Sequence, residues 1–183
     1  GFFPFVTPSR TSMVNADQLL AGQLATRMGI VRAYATRHGP GPLVSEDATL
    51  TEQLVEPHNV PNPWQGPMRV GWFDAVATRY ALQIADPKTR IALTCLDRLA
   101  GLPSLRICNG YRYTGPQAPD LHEYFVFDHT GTVRALRRAE QPTLHRQQRL
   151  TELLSLCKPV ERALAPIPRL REDDGTISAE ARA

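Results

Sequence analysis

The order of helical and extended patterns between residues 71 and 113 most constrains the fold of this chain. The segment GWFDAVATRYALQIA carries apolar side chains along one broad helical stripe, and the short apolar runs TRIALTCL and SLRICNGYRY follow it. Helices followed by nearly all-apolar strands are typical of a mainly parallel sheet that is covered on both faces. The sequence therefore predicts the α/β class, with a mainly parallel central sheet flanked by helices.

The remaining segments extend this pattern in both directions. Apolar positions over residues 13–28 predict a helix that ends at Gly29, and the strand-like run IVRAYAT follows it. The segment HEYFVFDHTGTVRAL predicts a hairpin around Gly131. Residues 143–157 predict a last helix, and its buried side should carry four apolar residues: Leu150, Leu153, Leu154 and Cys157.

Composition and charge disfavour several classes of protein. The chain carries 21 basic and 18 acidic side chains without a block of like charge, so neither nucleic acid nor a membrane surface is indicated as a partner. No apolar run approaches the roughly 20 residues of a membrane span. Three cysteines without a CxxC pair argue against a disulfide scaffold and against structural zinc. These features predict a cytoplasmic protein with no metal site of its own.

Hydroxyl side chains cluster in PFVTPSRTS, directly before the first predicted helix. Free backbone N–H groups and the helix dipole favour an anion at such a position, and the hydroxyl groups of Thr7 and its neighbours could add hydrogen bonds. Ser and Thr residues are also common there as a simple helix cap and turn. The residues alone leave both interpretations open, a phosphate site or a cap.

The segment from Ser45 to Met68 has no periodicity, which predicts a long irregular loop with a functional role. Within it, EPHNVPNPWQGPMRVG offers donors suited to a carboxylate or carbonyl group beside an aromatic face. The candidate binding residues are His58, Asn59, Asn62, Trp64, Gln65 and Arg69. The Gly-Pro-Gly-Pro turn that follows His38 predicts either a close approach of backbone to a ligand or a rigid connector.

The run RALRRAEQPTLHRQQR is locally basic. It has no interleaved aromatic residues on which bases could stack, so a solvated surface explains it better than a nucleic-acid patch. A basic nucleic-acid-binding domain nevertheless remains an alternative hypothesis, and it would use five arginines: Arg134, Arg137, Arg138, Arg146 and Arg149.

Four segments, in this order and with similar spacing, resemble the adenylosuccinate synthetase family. They are PFVTPSRTS, RAYATRHGPGPLVSED, RVGWFDAVATRYAL and IALTCLDRLAGLPSLRICNGYRY. In the family they correspond to a Pro-aromatic-Val-Thr-Ser-Ser stretch, a Thr-Arg-Val-Gly-Ala-Gly-Pro turn, a Gly-Trp-Leu-Asp helix start and a Leu-Thr-Lys-Leu-Asp strand end. The resemblance covers about residues 1–115. It implies a P-loop-NTPase-like ligase fold, of which residues 1–183 would be the central to C-terminal part of a single domain.

The resemblance also implies a chemistry. Enzymes of the family transfer the γ-phosphate of GTP to the 6-oxygen of IMP, and the amine of L-aspartate then displaces that phosphate from 6-phosphoryl-IMP, with Mg²⁺. A cytoplasmic homodimer in AMP biosynthesis is the corresponding expectation. The family's glycine-rich phosphate loop and catalytic residues belong to its N-terminal half. We therefore expect no catalytic residue in this chain, and no activity from the chain alone.

Individual residues take roles by the same resemblance. Thr7 matches the threonine that holds the IMP phosphate, and His38 and Gly39 fall in the turn that lines the ribose and amino-acid pocket. Asp97 matches the carboxylate that accepts hydrogen bonds from guanine, two positions after Cys95 in the GTP site. The candidates for the aspartate-binding loop are His58, Asn59, Trp64, Gln65 and Arg69.

The chain departs from the family pattern at several of these positions. Cys95 stands where the family has lysine, His38 stands where the family usually has valine, and NPWQGPMR keeps only Arg69 of the family's arginine cluster. These departures leave open a paralogous ligase that uses another purine nucleotide or another amine donor.

Overall fold

The computed structural model describes residues 2–6, 12–55, 59, 63–64, 66–85 and 90–179. The predictions for Thr7, His58, Asn62 and Gln65 lie outside these residues. The described elements are, in chain order, α1 Val14–Leu20, β1 Met28–Arg32, β2 Tyr34–His38, α2 Ala48–Gln53, β3 Met68–Asp74, α3 Ala75–Ala85, β4 Arg90–Thr94, a 3₁₀ turn Leu96–Arg98, β5 Leu105–Tyr113, α4 Leu121–Tyr124, β6 Phe125–Phe127, β7 Val133–Leu136, α5 Leu144–Ser155 and β8 Cys157–Leu164.

The strands form a parallel pair, β1 with β4, and a six-stranded sheet in the order β2-β3-β5-β7-β6 with β8 paired to β5. Within the larger sheet β3 and β5 are parallel, and the other pairings are antiparallel. The α/β class is confirmed, and the expected predominance of parallel pairing is corrected to a mixed sheet. An apolar run indicates that both faces of a strand are buried, but strand direction depends on the connections, which periodicity does not encode.

Two clusters of buried side chains hold the described elements together. One lies between the sheet and helices α3 and α5, and it confirms the predicted buried side of the last helix: Leu150, Leu153 and Leu154 are at most 3% exposed. Cys157 is also buried, as the first residue of β8. The other cluster surrounds Tyr34, Leu50, Val70 and Trp72 beside the β2–β3 pair. Each fully buried side chain of this kind contributes about 1.5–3 kcal/mol of hydrophobic stabilisation.

The first predicted helix is shorter and more exposed than expected. It ends at Leu20, because Ala21 has φ 47° and Gly22 has φ 87°, both left-handed conformations that close a helix. Leu19 is 87% exposed and Leu24 is 103% exposed, so the predicted apolar face is wrong. Helical spacing of leucines is a local property, whereas their burial requires a partner surface that spacing does not supply.

The strand predicted for IVRAYAT and the helix predicted from Gly71 both have different bounds in the structure. The strand divides at Ala33 into β1 and β2, which pair with different neighbours. Residues up to Asp74 continue β3, and α3 begins only at Ala75. Gly71 pairs with Ala35. A Cβ at Gly71 would lie 2.3 Å from the carbonyl oxygen of Ser45, so this strand position requires glycine.

Asp74 joins β3, α3 and β5 at one point. Its Oδ1 accepts hydrogen bonds from the backbone N–H groups of Val76 at 3.0 Å and Ala77 at 2.9 Å, which caps the helix. Its Oδ2 accepts from the Tyr111 hydroxyl at 2.7 Å. Burial raises the pKa of the Asp74 carboxyl, and the same burial, together with Asp74, raises the pKa of Tyr111.

The elements α2, α4 and β8 were not predicted, whereas the strands β4 and β5, the hairpin and the last helix were. Helix α2 lies within the segment expected to be irregular, and the Asp47 carboxylate caps it by accepting from Leu50 N–H at 2.8 Å. Strand β8 follows α5 directly. The predicted hairpin is confirmed as the antiparallel pair β6–β7, and the last predicted helix is confirmed as α5. None of the described helices is long and apolar enough to cross a membrane.

Candidate functional site

Two arginines hold the turn at Gly39–Gly41, directly after β2. Arg37 Nε donates to the Pro40 carbonyl at 2.9 Å. Arg69 Nη1 donates to the carbonyls of Gly39 at 2.9 Å and Gly41 at 2.8 Å. Three successive carbonyls therefore face guanidinium groups, an arrangement that fixes the turn as a rigid feature.

Glycine is required in this turn for two physical reasons. Gly39 has φ 64° and Gly41 has φ 109°, both in the region that L side chains rarely adopt. A Cβ at Gly41 would also lie 2.3 Å from Arg37 Nη2, so the guanidinium could not keep its position. The Gly-Pro-Gly-Pro pattern is therefore a packed turn whose backbone approaches charged groups closely.

The second partner of Arg69 is Glu46. Arg69 Nε donates to Glu46 Oε1 at 2.9 Å, and Nη2 donates to Oε2 in a shorter second contact. This bidentate geometry is the strong form of a charge-assisted hydrogen bond. The hydrogen bond lowers the pKa of Glu46 and raises that of Arg69. Together with the two carbonyls of the turn, Glu46 occupies most of the Arg69 donors.

Arg37 connects the turn to the N-terminal segment. Its Nη2 donates to the Phe5 carbonyl at 2.9 Å, and its Cζ lies 5.9 Å from the centre of the Phe5 ring. Burial and the nearby Arg69 lower the pKa of Arg37. Because Phe5 precedes Thr7 by two positions, the segment that leads to Thr7 lies beside the turn that carries His38 and Gly39.

The end of the candidate binding loop packs on the same turn. Gly39 N–H donates to the Pro67 carbonyl at 3.2 Å, and His38 is opposite Met68 in the β2–β3 register. A Cβ at Gly66 would lie 3.2 Å from the Gly39 Cα. Phe5, the turn and the end of the loop thus converge at one edge of the β2–β3 pair.

The other predicted residues of this loop and turn differ in exposure. Trp64 is 96% exposed and Asn59 is partly buried. The Nδ1 atom of His38 is buried without a hydrogen-bond partner. A buried polar atom without a partner costs free energy, so this position of His38 is energetically unfavourable.

A cleft of about 820 Å³ opens beside the turn. One wall is formed by Phe5, Gly41, Glu46 and Arg69. The opposite wall comes from α5 and β8 and carries polar side chains, among them Glu152, Ser155 and Lys158. Its size suits a nucleotide-sized ligand.

The segment after β4 lies at a different strand end. Cys95 has φ 60°, and the 3₁₀ turn Leu96–Arg98 follows it. Asp97 is exposed, and within the described residues its carboxylate makes no hydrogen bond or ion pair. Ligands of open α/β sheets bind beyond the carboxyl ends of parallel strands, and Asp97 lies beyond the carboxyl end of the parallel pair β1–β4.

Arg37 and Glu46 are the organising residues that the sequence did not identify. Arg37 lies next to the Gly-Pro turn, so its position was a usable signal. Glu46 and Arg69 are 23 positions apart, and no periodic pattern links them. As to metals, the described part of the chain contains no group of three or more His, Cys, Asp or Glu side chains that could hold an ion.

The fold and the convergent loops define an α/β protein with a candidate ligand site at the edge of its sheet. A sequence profile described as adenylosuccinate synthetase matches residues 1–132. The chain is 41% identical over 121 residues to an adenylosuccinate synthetase of Desulforamulus reducens, an alignment that covers 63% of the chain and 28% of the relative. It is 42% identical over 118 residues to that of Nitrosomonas eutropha, covering 61% and 27%.

The chain belongs to the adenylosuccinate synthetase family. It spans about 28% of the length of the curated relatives that it matches. Among solved structures, that of a fully ligated adenylosuccinate synthetase from Plasmodium falciparum superposes with a TM-score of 0.63 at 23% identity, covering 100% of this chain and 39% of that chain. The resemblance inferred from the four segments is thus confirmed for the family and for the fold.

Proposed function

We propose that this chain contributes the nucleotide-binding part of a ligase that joins L-aspartate to IMP with hydrolysis of GTP. The reaction passes through 6-phosphoryl-IMP and yields adenylosuccinate for AMP biosynthesis. The observation that carries the proposal is the convergence of Phe5, the Gly39–Gly41 turn and the end of the 59–69 loop at one sheet edge. We further propose a cytoplasmic homodimer, as expected for the family.

IMP would bind at this edge. Thr7 would hold the phosphate, while His38 and Gly39 would line the ribose and the neighbouring amino-acid pocket. The hydrogen bonds from Arg37 to the Phe5 and Pro40 carbonyls support this assignment. They hold the segment before Thr7 beside the turn, so that both could contact one ligand.

The aspartate site would use the loop residues His58, Asn59, Trp64 and Gln65. Arg69 takes a different role from the one suggested by the pattern, since its donors contact Glu46 and the turn carbonyls. We therefore propose Arg69 as a positioning residue that holds the loop end against the turn.

GTP would bind at the other strand end. Asp97 would accept hydrogen bonds from the guanine N1 and N2 groups, with Cys95 beside the base. Mg²⁺ would act with the GTP phosphates. The chain alone would bind nucleotide without forming adenylosuccinate.

Calorimetric titration of the chain with IMP and with inosine tests the proposal. We expect IMP to bind at least about tenfold more tightly, because a charge-assisted hydrogen bond to phosphate contributes about 1.5–3 kcal/mol. Arg37→Gln should weaken IMP binding, since it releases Phe5 from the turn. Arg112→Gln is the matched control, because Arg112 is exposed on β5 and its side chain makes no contact among the described residues. Equal affinities for IMP and inosine would contradict the proposal.

A further inference from the structure

The arginines of the basic run separate into two groups. Arg134 donates from Nε to Asp128 at 2.7 Å, and Arg149 contacts both carboxylate oxygens of Asp120 at 2.8 and 3.1 Å. These two guanidinium groups are held by carboxylates. Arg137, Arg138 and Arg146 instead line a cavity, so the run is not one continuous basic surface.

This arginine cavity has a volume of about 210 Å³ and lies between α3, the end of β7 and the start of α5. Its apolar wall is formed by Tyr80, Ile84, Tyr124 and Leu150. Tyr124 is 6% exposed and Leu150 is 3% exposed, so this part of the wall belongs to the packed core, whereas Ile84 is 44% exposed. The arginine cavity shares no lining residue with the cleft beside the Gly39–Gly41 turn.

Positive charge in the cavity exceeds negative charge. Arg146 lies over the Tyr124 ring at 4.5 Å and is 3.7 Å from the Glu123 carboxylate, whose side chain is 67% exposed. Arg138 donates to the Gln83 carbonyl at 2.7 Å. The Arg137 guanidinium makes no hydrogen bond or ion pair with any described residue. Three guanidinium groups therefore share one carboxylate contact.

These charges affect the pKa of Tyr80, a residue of the apolar wall. Burial raises the pKa of the Tyr80 hydroxyl, while Arg146 and Arg138 act in the opposite direction. Both guanidinium groups therefore lie close enough to stabilise a negative charge at the position of that hydroxyl. The cavity combines an apolar wall with a positive rim.

We propose that the arginine cavity binds a small organic phosphate. The phosphate group would accept hydrogen bonds from Arg137 and Arg138, whose donors are mostly unused, and the carbon part would pack against Tyr80 and Ile84. A phosphate has more acceptor oxygens than a carboxylate, so it suits several guanidinium groups better than a single carboxylate does. The enclosed volume limits the ligand to a small molecule. This site is independent of the proposed ligase function.

Phenyl phosphate is a suitable probe, with phenol and inorganic phosphate as comparisons, in calorimetric titrations of the chain. We expect phenyl phosphate to bind at least about tenfold more tightly than phenol. Arg137→Gln should lower that affinity about tenfold, whereas Arg162→Gln removes the same charge from an exposed position on β8 and should leave it unchanged. Circular dichroism confirms folding of each variant.

Two outcomes would overturn the proposal. One is equal affinity of phenyl phosphate for the Arg137→Gln and Arg162→Gln variants, which would show that the bound anion is not in the cavity. The other is loss of phenyl phosphate binding in Thr7→Ala with no loss in Arg137→Gln, which would place the probe at the proposed IMP phosphate site instead.

Discussion

The turn after β2 and the segment after β4 both carry predicted nucleotide-binding residues at strand ends, yet their charged groups are used differently. At the turn, Arg37 and Arg69 are bound to three backbone carbonyls and to Glu46. After β4, Asp97 is exposed and has no partner among the described residues. A charged residue that is paired within the chain fixes the shape of a site. An exposed charged residue without such a partner is available to a ligand.

The difference separates two meanings of a functional motif. The arginines of the turn match family segments because the backbone that they hold must keep one conformation. Asp97 makes no hydrogen bond or ion pair with a described residue that would explain its position. Substitutions at the turn should therefore change stability first, and substitution of Asp97 should change nucleotide binding alone.

The largest expected effect is that of Arg69→Met. Methionine keeps the apolar stem of the side chain but leaves Glu46 and the carbonyls of Gly39 and Gly41 without their donor. We expect the free energy of unfolding to fall by about 2–3 kcal/mol, measured by urea denaturation. Arg112→Met on the exposed face of β5 should change it by less than about 0.5 kcal/mol. Similar losses in both variants would mean that the turn does not depend on Arg69.

Asp97→Asn should produce the opposite result. Stability should change by less than about 0.5 kcal/mol, because no described residue contacts this carboxylate. Binding of GTP should weaken by about 2 kcal/mol, since an amide donor would then face the guanine donors. IMP binding should be normal. A stability loss without any change in GTP affinity would show that Asp97 is only a structural residue of the 3₁₀ turn.

Thr7→Ala sharpens the assignment of the turn side to IMP. Removing one hydroxyl hydrogen bond to the phosphate should weaken IMP binding by about 1–2 kcal/mol. GTP binding should barely change, because the guanine site is at the other strand end. Equal losses of affinity for IMP and GTP in calorimetry would show that Thr7 does not bind the IMP phosphate specifically.

The smallest expected effect concerns acid stability. The hydrogen bond from Arg69 lowers the pKa of Glu46 below its ordinary value of 4.5. The stabilisation is therefore complete above that value and is lost as the pH falls through the lower pKa of the folded state. Urea denaturation from about pH 6 to about pH 3 should show a shallower loss of stability in Arg69→Met than in Arg112→Met. Identical slopes would indicate that Glu46 titrates normally.

Local patterns predicted the elements that depend on local sequence. The hairpin β6–β7 and helix α5 follow from alternation and helical spacing. The exposed face of α1 could not be predicted, since Leu19 and Leu24 carry a helical pattern without a partner surface in the described chain. Residues 71–74 were predicted as helix because Phe73 continues the apolar helical stripe, but they pair with β2 and β5 as the end of β3.

The candidate site shows the same division between features that local sequence predicts and features that depend on tertiary contacts. His38, Gly39 and Arg69 were identified from sequence, and the structure brings them together through the β2–β3 register. The role of Arg69 as a positioning residue could not be predicted from the sequence, because its partner Glu46 is distant along the chain. The bridge between Glu46 and Gly71, two positions after Arg69 on β3, brings these two residues into contact.

The preference between GTP and xanthosine triphosphate, measured by titration of the unmodified chain and of Asp97→Asn, tests most directly whether Asp97 is the residue that reads the base. Asparagine can accept from the base N1–H and donate to the 2-carbonyl of xanthine, a pairing that it cannot make with the 2-amino group of guanine. We predict that the unmodified chain prefers GTP and that Asp97→Asn prefers xanthosine triphosphate, each by about tenfold or more. An unchanged preference for GTP in the variant would contradict the account.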